Sequence, residues 1–211
     1  VRPDASKPDC VTVRVRGHKP WRIDDTEVAA LGLAKGTVLT AELVAGLAQA
    51  ATNCKARLKL RSRLAARPLS RMEASMLLRR AGAQAEYAQA IVERFVELGW
   101  IDDAKLAERV ASNEAAKAVG QMRVVARVAR RGINSGEARR AAESAVKARK
   151  ESPLELATIA AQTQLRKLPP ALEVDVMKRR VLGFLARRGF DEHTARQAVE
   201  AILGRGRRPR T

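Results

Sequence analysis

The sequence predicts a mostly α-helical protein: three tandem three-helix repeats preceded by a small N-terminal module with a short β-hairpin. Three observations lead there. Hydrophobic residues make up 46% of the 211 positions but aromatics only 3%, so a core must be built mostly of alanine, valine and leucine, and alanine and leucine favour helices. From Lys55 onward the apolar positions recur with helical spacing and no convincing strand. That helical region also repeats itself around Gly82, Gly132 and Gly189.

The N-terminal module covers residues 1–54, with 1–9 expected to be disordered. Val11-Thr12-Val13-Arg14-Val15-Arg16 alternates apolar with polar residues, the signature of a half-buried strand. Gly17-His18-Lys19-Pro20 is a turn, and Trp21-Arg22-Ile23 returns as a second short strand. Asp24 or Asp25 can cap a short helix through Leu31, ended by Gly32, and Thr40 can cap another running through Ala50.

The repeats are expected at 55–99, 100–150 and 151–204. Two residues before each glycine stands an arginine (Arg80, Arg130, Arg187), and four before it an apolar residue (Leu78, Val128, Leu185). Nine, ten and thirteen residues after it come Ile91, Val92 and Phe95, then Ala141, Ala142 and Ala145, then Ala198, Val199 and Ile202. Those offsets place three side chains on one helical face. A glycine ends a helix in the left-handed conformation without a Cβ penalty. Ser70 with Glu73, Ser135, Ser152 before Pro153, and Asp191 supply N-caps, with Asp102 or Asp103 opening the second repeat. The helices predicted are 55–66, 70–81 and 84–98; 103–118, 121–131 and 135–149; and 153–167, 171–188 and 191–203. Repeats of about 50 residues have small cores, so contacts with neighbours or a partner help hold them.

Charge points to a polyanionic partner. Lys and Arg number 41 against 23 Asp and Glu, a net +18, and such a field attracts nucleic acid, a nucleoprotein surface, an anionic membrane or an acidic protein. Residues 1–54 carry only +1, residues 55–99 and 100–150 carry +6 each, and 151–204 carry +1. The candidate binding residues are the pairs Arg79-Arg80, Arg130-Arg131 and Arg187-Arg188. Cations at helix C-termini are favoured by the helix dipole alone, by about 0.3–1 kcal/mol. Lysine would serve that purpose equally, whereas the arginine fork suits carboxylate and phosphate. Lys55, Arg57, Lys59 and Arg61 join the list, because cations at every second position spread around a helix and some must face solvent or a ligand. Residues 205–211 form a basic tail, expected to be disordered, suited to nonspecific phosphate contact or to none.

The chain offers little for catalysis. His18 and His193 stand far apart, no GxxxxGK[ST] phosphate loop is present, and Asp102-Asp103 is better read as a helix cap than as a metal pair. No enzyme activity, cofactor or metal is expected. Cys10 and Cys54 form no CxxC pattern and are expected as reduced thiols. With no apolar run near the roughly 20 residues of a membrane span and no signal-like N-terminus, the expectation is a cytoplasmic protein, monomeric and without a membrane partner.

Several stretches together resemble the RecX family of recombination modulators. Leu78-Arg79-Arg80-Ala81-Gly82 looks like the basic, glycine-terminated helix end of that family's first repeat. Gly99-Trp100-Ile101-Asp102-Asp103-Ala104-Lys105-Leu106-Ala107 resembles its most recognisable segment, Phe184-Leu185-Ala186-Arg187-Arg188-Gly189-Phe190 its last repeat, and Leu31-Gly32-Leu33-Ala34-Lys35-Gly36 its N-terminal turn. The likeness runs from about residue 11 to 203. Leu106 departs from it where an aromatic is common, and Val119-Gly120-Gln121 replaces a turn like Tyr-Gly-Pro. The resemblance implies a regulator of DNA repair, recombination and the SOS response. It would bind the RecA recombinase filament on single-stranded DNA and suppress its ATPase and strand exchange, with double-stranded DNA as a further candidate partner. The alternative is a freestanding DNA-binding protein of helix-turn-helix type, disfavoured because no helix offers the Asn, Gln or Arg cluster expected for reading bases.

Overall fold

The computed structural model describes residues 1–3, 9–34 and 36–204. Among them are three short strands and ten helices, in two compact units, Val1–Asp102 and Asp103–Thr211. The basic tail at 205–211 lies outside the described residues.

The first unit opens with an antiparallel sheet, β1 (Arg2–Pro3), β2 (Cys10–Val13) and β3 (Trp21–Asp24), in the order β1-β2-β3. Val11 pairs with Ile23 and Val13 with Trp21, so the expected hairpin forms, but its first strand ends at Val13 where the alternation ran on to Arg16. Strand β1 corrects the expectation of disorder at its own two residues: Arg2 pairs with Thr12 and Pro3 with Val11, on an edge where proline's missing N–H is tolerated; residues 4–8 lie outside the described residues. After the sheet come α1 (Asp25–Ala30), α2 (Ala41–Ala66), α3 (Arg71–Arg80) and α4 (Ala85–Glu97). A second correction concerns α2. One helix of 26 residues replaces the expected pair ending at Ala50 and starting at Lys55, because residues 51–55 contain neither Gly nor Pro to interrupt it. Leu47 and Ala50 near its start pack with Val13 and Ile23. Ala56 and Leu60 further along pack with Leu78, Val92, Phe95 and Ile101. Residue 54 thus falls inside a helix shared by the sheet module and the first three-helix group.

The second unit contains two three-helix groups: α5 (Asp103–Ala115), α6 (Gln121–Ala129) and α7 (Ser135–Lys147), then α8 (Pro153–Leu165), α9 (Val174–Arg187) and α10 (Glu192–Leu203). The repeated apolar positions are the core. Leu78, Val128 and Leu185 are fully buried, and the triplets following each glycine pack in their respective clusters. Capping boxes form at Ser70 with Glu73 and at Ser152 with Glu155, and the Asp191 side chain accepts from the Thr194 N–H. Asn134, not Ser135, caps α7.

A glycine seam joins the two groups of this unit. Gly120 N–H donates to the Arg188 carbonyl at 2.9 Å and Met122 N–H to the Gly189 carbonyl at 3.2 Å. A Cβ on Gly120 would lie 2.0 Å from the Gly189 carbonyl oxygen, and one on Gly189, at φ +80°, would lie 2.3 Å from the Arg123 nitrogen. Only glycine admits so close a backbone approach. The neighbouring Ala118 is held in the left-handed region at φ 52°.

Gly120→Ala and Gly189→Ala are each expected to lower stability by more than ~2 kcal/mol, since backbone must move at both places. Gly183→Ala inside α9, whose added Cβ meets only the end of the Arg187 side chain at 3.4 Å, should be neutral or stabilising by up to about 1 kcal/mol. Urea melts of the three variants test this. Equal stabilities would show that the seam does not hold the groups together.

Candidate binding surfaces

The first unit carries a basic groove of about 430 Å³, lined by Lys59, Arg63, Arg67, Leu69, Glu73, Met76, Leu77 and Arg80. Its origin is helical spacing: Lys59, Arg63 and Arg67 follow one another at intervals of four, with Arg63 in the last turn of α2. Arg80 comes from the last turn of α3. One carboxylate, Glu73, lines the groove, 3.5 Å from Arg67. Lys59, Arg63, Arg79 and Arg80 are exposed, and no ion pair holds them among the described residues. Met76, 42% exposed, adds an apolar patch.

The expected binding residues therefore separate. Lys59 and Arg80 meet in the groove, Arg79 lies beside it in the last turn of α3, and Lys55 is exposed one turn before Lys59. Arg61 is exposed, 3.4 Å from Asp9 and stacked over Trp100 at 5.6 Å. Arg130 is exposed, with Nε donating to the Ala126 carbonyl of its own helix, and Arg131 is half-buried. Arg187 is exposed. Arg188 corrects the expectation for its position: its Nη2 donates to the Lys117 carbonyl at 3.1 Å, and its guanidinium lies 5.5 Å above Phe184. Arg188 reinforces the glycine seam.

Arg57 is a clear correction. It is 8% exposed and donates through Nε and Nη2 to one oxygen of Asp24, at 3.0 and 2.8 Å. The Tyr87 hydroxyl donates to the other Asp24 oxygen. Asp24 stands at the N-cap of α1 but makes no side-chain cap bond, because its carboxylate turns inward to these donors. Cys10 and Cys54 are free thiols here, their sulfurs 3.5 Å apart. Ligand-type atoms of Cys10, Asp24 and Cys54 lie within 4.8 Å of one another. Both Asp24 oxygens are engaged, however, and Arg57 Nη2 stands 3.4 Å from Cys10 Sγ, so the cluster is built around the guanidinium and suits no metal ion. Burial opposes charge on Arg57, but Asp24 outweighs it and raises the guanidinium's affinity for its proton. Burial first, then Asp24, pushes Cys54 and Tyr87 up, and both stay neutral.

A second buried acid organises the middle group. Glu114, 4% exposed, receives Lys117 at 2.7 Å and Arg123 at 3.1 Å, with Arg127 at 4.0 Å. The Lys117 hydrogen bond outweighs burial and, with Arg123, holds Glu114 below the usual carboxylate range.

These features define a class: a helical-repeat protein with a small N-terminal sheet and a cationic groove on its first repeat. No described helix is long and apolar enough to cross a membrane. No family model matches the chain. The regulatory protein RecX of Thermobifida fusca is 30% identical over 139 residues, 64% of this chain and 72% of that one. RecX of Xanthomonas campestris pv. campestris is 32% identical over 141 residues, 66% and 83% of the two chains. Among solved structures, a regulatory protein RecX superposes with a TM-score of 0.69 at 17% identity over 96% of each chain. RecX from Lactobacillus salivarius gives 0.59 at 16% identity over 72% of this chain and 96% of its own. The chain belongs to the RecX family of regulatory proteins.

Arg57→Met leaves Asp24 charged and buried, and should cost about 3–5 kcal/mol. Chemical denaturation of this variant beside the parent measures the loss, and a cost under 1 kcal/mol would remove Asp24–Arg57 from the core of the fold. Glu114 sets a pH dependence. A folded pKa below the unfolded one gives stability that is present above the unfolded value and lost as pH falls through the folded value. The melting-temperature gap between the parent and Glu114→Gln should be constant near neutrality and close as pH drops below the ordinary carboxylate range. A gap that persists in acid would show that the charge is not what Glu114 contributes.

Proposed function

We propose that this protein is a non-enzymatic regulator of homologous recombination that binds the RecA filament on single-stranded DNA and restrains its ATPase and strand exchange. It acts in the cytoplasm, in DNA repair and the SOS response, as a monomer contacting both RecA and DNA. The observation that carries this reading is the groove of Lys59, Arg63, Arg67 and Arg80, four cations against one carboxylate. A single-stranded phosphate backbone meets such a surface through counterion release and without reading sequence. Family membership supplies the regulatory role. Charge distribution supports contacts by the first two repeats, since residues 55–99 and 100–150 carry +6 each and 151–204 only +1. Arg79, Lys55 and Arg61 join the groove in this reading as further cations of the first unit, and Arg130, Arg131 and Arg187 are proposed as separate contacts on the second. Arg57 and Arg188 contribute to it only by holding the fold.

Lys59→Gln/Arg63→Gln/Arg80→Gln should melt within about 1 kcal/mol of the parent, because exposed changes cost little. It should bind single-stranded DNA with a salt slope smaller by ~2, from three lost phosphate contacts at about 0.7 each. Its inhibition of RecA-dependent ATP hydrolysis should weaken in parallel. The paired changes at 79–80 and 130–131 are expected to weaken inhibition more than the pair at 187–188. Normal melting with undiminished DNA binding and inhibition would overturn the groove as the contact surface. A strong preference for one duplex sequence would favour a helix-turn-helix reader.

A further inference from the structure

The second unit has a cationic row of its own. Arg123, Arg127 and Arg130 follow one another at intervals of four and three along α6 and its C-cap, which puts them on one helical face. All three are exposed, and the residue between them on that face is the small, exposed Ala126. Lys117, just beyond the end of α5, joins the row through Glu114. That buried carboxylate takes Lys117 Nζ on one oxygen at 2.7 Å and Arg123 Nε on the other at 3.1 Å, with Arg127 Nε 4.0 Å away. Arg123 spends a further nitrogen on the Arg187 carbonyl and belongs to the fold. Lys117 and Arg127 keep most of their side chains in water, 60% and 51% exposed, and Arg130 donates only to its own helix. Among the described residues no second carboxylate comes within ion-pair distance of these four cations.

We propose that Lys117, Arg127 and Arg130 form a second contact for the phosphate backbone of single-stranded DNA, made of different residues from the groove of the first unit. Four cations against one carboxylate leave a strong excess of positive charge. The arginines span about 10 Å of helix, at roughly 1.5 Å per residue. A row of charge suits a chain of regularly spaced phosphates, whose counterions it displaces without reading sequence. The exposed Met122 stands about 100° round the helix from Arg123, so the row lacks the apolar centre that a protein interface uses. Glu114 is a positioning residue: it restrains Lys117 and Arg127, and a cation already restrained loses less freedom on meeting a phosphate than a free one. The inference rests on the reading that the chain binds single-stranded DNA, and extends that binding to the unit that does not contain the groove.

The test uses the full chain and a dye-labelled oligothymidine, with binding followed by fluorescence anisotropy between roughly 50 and 200 mM salt. Arg127→Gln/Arg130→Gln leaves Lys117 and Arg123 on Glu114 and should melt with the parent. Its salt slope should be smaller by ~1.4, from two lost phosphate contacts at about 0.7 each. Combined with the groove triple variant, the two losses of slope should add. A slope that the Gln pair leaves unchanged overturns the proposal. If inhibition of RecA-dependent ATP hydrolysis weakens while that slope stays unchanged, the row meets an acidic protein surface and the proposal is equally overturned. If the Gln pair melts early, the unaltered protein decides. Saturating oligothymidine should then slow acetylation of Lys117 by an amine-reactive ester at least three-fold, and a Lys117 that reacts at its free rate overturns the proposal. Failure of the groove is read separately, because the groove triple variant retains Lys117, Arg127 and Arg130.

Discussion

A carboxylate shut away from water at Asp24 holds the first unit together. Its two oxygens take three donors from two helices, Arg57 on α2 and Tyr87 on α4. Arg57 reaches on to the Asp9 carbonyl and to the Cys10 sulfur at the start of β2. A buried ion pair is weak evidence for net stability, because removing two charges from water is costly. What it supplies here is register: alanine and leucine faces slide past one another with little penalty, whereas a bidentate pair has one geometry. The sheet module has a small core of its own, Val13, Ile23, Leu47 and Ala50, and the polar cluster ties it to the helix that serves the next core.

The second unit meets the same need with backbone in place of charge. With alanine prominent in both cores, the two groups have modest apolar surface to share, and they are joined where two glycines permit main chain to touch main chain. Arg123 and Arg188 bridge the same seam, each donating to a carbonyl of the opposite group. The left-handed Ala118 stores strain there, of order ~1 kcal/mol, and persists because the surrounding bonds over-determine it.

Arginine consequently has two uses in this protein, and composition does not separate them. Some guanidiniums are consumed by the fold, as at Arg57, Arg123 and Arg188; others remain in water, as at Arg63, Arg79 and Arg80. The distinction follows from helical phase. On α2, Lys55, Lys59 and Arg63 lie at intervals of four along one solvent-facing stripe, with Arg67 just past the helix end, while Arg57 falls on the buried side. The stripe is legible in the amino-acid sequence, since an interval of four is a helical face. Charge at every second position masks that interval, and it hides Arg63 as a member of the stripe and Arg67 just past it.

Local pattern suffices for the helical class, the hairpin, the three glycine-ended helices and the apolar positions of each core, because those depend on residue propensity and on periods of 2 and 3.6 residues. Leu78, Val128 and Leu185 occupy the core positions their spacing implied. The remaining features join residues distant along the chain, and packing alone settles them. Asp24 meets Arg57 and Tyr87 across 33 and 63 positions, Gly120 meets Gly189, and Arg149 meets Val119. A capping aspartate and a core-hub aspartate look alike in one dimension, as do a free arginine and a buried one. The difference is whether another element brings donors or acceptors to it, and that is set by how helices pack, which no local pattern encodes.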